Sequence, residues 1–149
     1  MTEPLNHHAA LVYVMVAISS VDGAMTDDEF ARIGEIVSKL PVFTDSDEGG
    51  VLKAAEACSE ILSGDGGLQQ VLRLVREALP DQLHETAYWV ALEVAAADRL
   101  LRTEEIRFLN MLGDALALDR STTAAIERGI RARNMTLESP VSNRNGTGN

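Results

Sequence analysis

The chain has 149 residues, enough for a domain with a substantial core, and its apolar content is carried by Ala, Leu and Val with few aromatics. That composition favours helix packed on helix over a β-sandwich. The formal net charge of −10 repels phosphate backbones and argues against nucleic acid as a partner.

Asn6 is placed to cap a first helix from about His7 to Val21. The run Ala9 to Ile18 is apolar over ten consecutive residues, too short for a membrane span and suited to a helix enclosed by neighbours. The N-terminus lacks the basic n-region of a signal peptide, and the single cysteine, Cys58, fits a reducing, cytoplasmic setting. Gly23 allows a turn after the first helix. Thr26 and Glu29 then form a capping box for a second helix, whose core stripe is Phe30, Ile33, Ile36, Val37 and Leu40 and which Pro41 ends.

Residues 44–50 read as a polar linker, with Ser46 or Asp47 capping a third helix to about Leu62. Ser63-Gly64-Asp65-Gly66-Gly67 breaks the chain, and a fourth helix carries Leu68, Val71, Leu72, Val75 and Leu79. Without a GK[ST] sequence or a preceding strand, these glycines read as a connection and not a phosphate loop. After Pro80-Asp81 a fifth helix runs to about Ala97. A sixth opens near Thr103 with Ile106, Leu109, Met111, Leu112 and Leu116, and Asp119 caps a seventh ending near Asn134. No sustained alternation of apolar and polar residues suggests a strand. The expected organisation is a helical domain over residues 1–136 and a disordered tail over 137–149.

The chain contains an internal repeat. Asp98, Leu101 and Glu105 each lie 76 positions after Asp22, Met25 and Glu29, and the fifth helix aligns with the first, Trp89 with Tyr13 and Val94 with Ile18. The expected fold class is therefore all-α, a bundle of about seven helices built from two pseudo-symmetric helix-corner-helix halves. Met25 and Leu101 are expected to turn inward and staple their corners.

Charge concentrates at the first corner. Between Asp22 and Glu48 stand eight acids and two bases, whereas the last helix and tail carry Arg120, Arg128, Arg131, Arg133 and Arg144. Acids in a first helical turn interact favourably with the macrodipole, so capping alone accounts for Asp27, Asp28 and Glu29. Clustered carboxylates also suit hard cations such as calcium, magnesium or manganese. The corners are not EF-hands: with Glu29 as twelfth loop residue, Gly23 falls on the sixth position but Ile18 and Ser20 on the first and third. In the second unit Val94 and Ala96 take those two positions, and Arg99 replaces the glycine.

The stretch Val21-Asp22-Gly23-Ala24-Met25-Thr26 with Glu29, echoed by Ala97-Asp98 with Leu101 and Glu105, resembles the TerB-like family of tellurite-resistance proteins over about Leu5 to Asn134. The resemblance implies an all-helical fold of two similar halves. It further implies a role in tellurite or general chemical stress, through a membrane-associated complex and an acidic metal-binding surface. Arg99 departs from the glycine expected in a second equivalent corner.

Three readings follow. In the first, a non-enzymatic module uses Asp22, Asp27, Asp28 and Glu29, with Asp98, Glu104 and Glu105 as a weaker counterpart, to bind a divalent cation or a protein partner at or near the inner face of a membrane. If the two corners meet, a cation relieves their repulsion; if they stand apart, a basic protein partner is favoured. In the second, Asp22, Glu29, Asp98 and Glu105 form the acid cluster of a metal-dependent hydrolase. In the third, the acids are caps of a purely structural interaction domain. Self-association stays open. His7 and His8 are expected to be solvated and His84 to lie at the surface. Cys58 is expected to be a partly buried thiol, and Glu93 to pair with Arg73 or Arg76 or face the acidic cleft.

Overall fold

The computed structural model describes residues 5–23, 25–45, 48–96 and 101–137, with the backbone alone at residue 48. Asp98, Asp47, Arg99 and the tail beyond residue 137 lie outside the described residues. Within them are α1 (His7–Ser20), α2 (Asp27–Lys39), α3 (Glu48–Leu62), α4 (Gly67–Ala78), α5 (His84–Ala95), α6 (Thr103–Ala115) and α7 (Arg120–Arg133). Short 3-10 turns at Pro41–Phe43 and Asp81–Leu83 precede α3 and α5, and the described residues hold no strand.

Local chemistry sets these boundaries. The Asn6 carboxamide oxygen accepts the Ala9 N–H at 2.8 Å. Thr26 accepts from the Glu29 N–H at 3.1 Å while the Glu29 carboxylate accepts the Thr26 N–H at 2.8 Å, completing the capping box. Gly23 sits at φ 148°, a conformation that a side chain would oppose, and lets α1 turn away from its axis. The bounds of α6 match those of α2 residue for residue at the offset of 76.

The core is organised around α1. Every residue from Ala10 to Ser19 is buried, and α1 packs against α3, α4 and α5 with smaller contacts to α2 and α6. That explains its apolar composition on all faces: no side of the helix reaches water. In α5, Ala87, Tyr88, Val90, Ala91, Leu92, Val94 and Ala95 are buried, against α1 on one side and α6 and α7 on others. The surrounding helices are amphipathic, with Ile33 and Ile36 of α2 and Leu109 and Leu112 of α6 buried at equivalent repeat positions.

Several expectations need revision. Met25 is half-buried against the core, but Leu101 is 36% exposed and does not staple its corner. Polar contacts hold that corner instead, as described below. Phe30 packs on the core, whereas its counterpart Ile106 is 46% exposed. Ahead of the expected linker, the 3-10 turn at Pro41–Phe43 drives Phe43 into the core, and the His8 ring stacks on it with centroids 5.4 Å apart.

The end of α6 carries backbone strain. Ala117 adopts φ 57°, and Leu118 N–H returns to the Gly113 carbonyl at 2.9 Å, the pattern of a Schellman C-cap. A Cβ is unfavourable in that conformation. Ala117→Gly should therefore stabilise the protein by about 1 kcal/mol, read as a shift in the urea midpoint.

Candidate functional site

The two corners are in contact. The Arg102 guanidinium forms a charge-assisted hydrogen bond and ion pair with the Asp22 carboxylate, whose side chain is only 19% exposed. Arg102 occupies the helix-cap position of α6, where the first repeat has Thr26. Its backbone N–H donates to the Glu105 carboxylate at 2.9 Å, so Glu105 repeats what Glu29 does for Thr26. Glu105 is buried, 8% exposed, under this turn. The reciprocal side-chain bond is missing because a guanidinium has no acceptor to offer the helix N-terminus.

The candidate acids thus fall into two groups. Asp22, Glu29 and Glu105 are already engaged, one by a guanidinium and two by backbone N–H groups. Asp27, Asp28 and Glu104 are exposed in the first turns of α2 and α6. Asp98 falls outside the described residues. Among the described residues, no group of three or more His, Cys, Asp or Glu side chains is arranged to hold a metal ion. Reasoning from sequence placed like charges at the two corners and did not single out Arg102. The signal was available: a residue that cannot cap stands where Thr26 caps in the first unit.

The remaining titratable groups have structural partners. Glu93 accepts from the Trp89 indole N–H at 2.7 Å and pairs with Arg133 at 3.2 Å, so its base comes from α7 and not from Arg73 or Arg76. The Tyr88 hydroxyl donates to Glu127 at 2.6 Å; burial first, then that carboxylate, pushes the phenol well above its usual range. Cys58 is fully buried with its thiol directed to the Tyr13 carbonyl, and burial pushes it up to about 12, which removes it as a nucleophile.

Two of the three histidines expected to be solvated or at the surface, His8 and His84, are tied in. His8 Nε2 lies 2.8 Å from the Val42 carbonyl and 3.2 Å from Asp45. His84 bridges two helix ends, Nδ1 3.1 Å from the Leu116 carbonyl and Nε2 3.2 Å from the Leu79 carbonyl.

Asp119 caps α7 by accepting the Thr122 N–H at 2.8 Å, and this bond, with one from Ser121, holds its carboxyl below the ordinary value of 3.8. A depressed folded-state value means the contribution is present above the unfolded value and fades as pH falls through the folded one. The stability gap between the wild type and Asp119→Ala should therefore be full at neutral pH and close below about pH 4. Urea titrations across that range measure it.

A concavity lies along α2, away from the corner residues themselves. It is a groove of about 780 Å³ between α2 and the start of α3, and none of the candidate acids is among the described residues that line it.

An all-helical bundle in which the turn after α1 meets the start of α6 through the Asp22–Arg102 pair, with Glu29 and Glu105 capping and Asp27, Asp28 and Glu104 exposed in first turns, defines a class of helical modules. The family model described as tellurite resistance protein TerB matches residues 8–128. The chain belongs to that family. Comparison with curated proteins and with solved structures returns no match. No helix among the described residues is long and apolar enough to cross a membrane.

Proposed function

We propose that this TerB-family chain is a non-enzymatic binding module in chemical or metal stress response, and that its acidic corner engages a basic protein partner. Asp27 and Asp28 supply the contact surface, with Glu104 as a weaker counterpart; Asp22, Glu29 and Glu105 shape the corners that present them. The observation that carries this reading is the division of the acids. The inward carboxylates are occupied by Arg102 and by backbone N–H groups, while the exposed ones point to solvent from the first turns of two helices. Carboxylates so placed favour salt-sensitive protein association over a tight oxygen cage for a metal. A partner held in a membrane-associated complex on the cytoplasmic side fits the family's stress role.

A divalent cation is the second reading. It is favoured by the Asp22–Arg102 contact, which joins Asp22 to the turn that leads into Glu104 and Glu105. One set of measurements separates the two. A lysine-rich peptide should bind the wild type at low ionic strength, weaken with added salt, and bind Asp27→Asn/Asp28→Asn less well. Calcium, magnesium or manganese raising the melting temperature of the wild type, with that gain lost in Asp22→Asn/Glu29→Gln, would favour the cation. Neither response would remove the acidic corner as a binding surface.

A further inference from the structure

The groove between α2 and the start of α3 has apolar walls, with Ser38, Lys39 and Thr44 among its other lining residues. Phe30, Val37 and Leu40 form one wall, and Phe43, Val51 and Leu52 the other. Leu52 is 48% exposed on a helix whose Ala54, Ala55 and Cys58 are buried. Gly34 notches the middle of α2, and a Cβ built there meets nothing within 4 Å. Val51 also lines a smaller hollow of about 250 Å³ together with Asn6, His8 and Asp45, the Asp45 side chain being 83% exposed. That hollow therefore carries an accessible carboxylate.

The surroundings are acidic. Asp27 continues the α2 stripe of Phe30 and Gly34 one turn toward the helix start, and Glu56 follows Leu52 by one turn on α3. Lys39 is the one charged residue among the described lining, against eight acids and two bases over the whole stretch Asp22 to Glu48. An apolar trough with an acidic rim matches a helix that has one apolar stripe flanked by bases. A second copy of this chain does not supply one: α7 is the basic helix, but its apolar residues Ile126 and Ile130 pack into its own core.

We propose that the groove between α2 and α3 docks a basic amphipathic helix of a partner protein, its apolar residues in the trough and its bases over Asp27 and Asp45. The proposal rests on the acidic-corner reading and adds the form of the partner.

The test uses the full chain and a synthetic peptide about four helical turns long, with leucines at i, i+4, i+7 and lysines flanking them. A version with glutamate for lysine and a lysine-rich peptide without the leucines serve as controls. The amphipathic basic peptide should bind best, and its amide perturbations should centre on Gly34, Leu40 and Val51. Gly34→Gln, which plugs the notch without touching the core, and Leu52→Glu should each weaken binding about tenfold or more, with melting temperatures showing both variants folded. Equal binding of the leucine-free peptide, unchanged by either groove variant, would overturn the groove and leave the acidic corner standing. No binding of either lysine peptide would overturn both. Sedimentation showing self-association that Leu52→Glu abolishes would put a second copy in the groove and overturn the partner helix.

Discussion

Gly67→Ala should destabilise the protein by about 3 kcal/mol, a large fraction of what a domain of this size has to lose. A Cβ at that position would lie 2.2 Å from the Ile61 carbonyl oxygen and 2.8 Å from the Leu62 Cα. Both are backbone atoms at the end of α3, so no rotamer change relieves the clash; the junction between α3 and α4 has to open. Gly34→Ala is the matched control. It is also helical, but it faces open space, and it should stabilise by about 1 kcal/mol through helix propensity alone. Urea denaturation of the two variants checks both signs. Equal effects would mean that the close approach of α3 and α4 does not exist in solution.

Leu11→Ala should cost about 2 to 5 kcal/mol, because Leu11 is fully buried in a helix enclosed on every side. The cavity cannot fill from solvent, and α1 is held by helices from both repeats, so it cannot shift toward one side without losing contact with the other. Leu52→Ala removes the same atoms from a side chain that is 48% exposed and should cost about 0.5 kcal/mol or less. The comparison isolates burial from residue type. A small effect at Leu11 would contradict the central place of α1.

The corner between α1 and α2 is held to the core by Met25, and to the opposite corner by the Asp22–Arg102 pair. Loosening α1 therefore acts directly on the acidic surface proposed as the binding face.

The helices themselves were legible in the chain. Asn6, Thr26 with Glu29, and Asp119 signal helix starts by chemistry that is local, a side-chain oxygen meeting an N–H three residues on. The apolar turns of α1 marked it as enclosed because a helix buried on every side has no place for polar residues, and the apolar run of α5 marked its buried faces. The sixth helix was expected to open near Thr103, and α6 does begin there. What lay beyond the sequence depends on groups far apart along it. The distance between the two corners, and the guanidinium that joins them, is set by how α1, α2, α5 and α6 pack, since Asp22 and Arg102 are 80 positions apart. The partner of Glu93 was misjudged for the same reason: α7 packs on α5 and places Arg133 there, while Arg73 and Arg76 lie on α4. The groove is likewise a product of packing. Phe30, Val37 and Leu52 read as ordinary members of apolar stripes, and only the placement of α3 beside α2 leaves a trough between them. Periodicity tells which face of a helix is apolar; whether a neighbouring helix covers that face is decided by the tertiary structure.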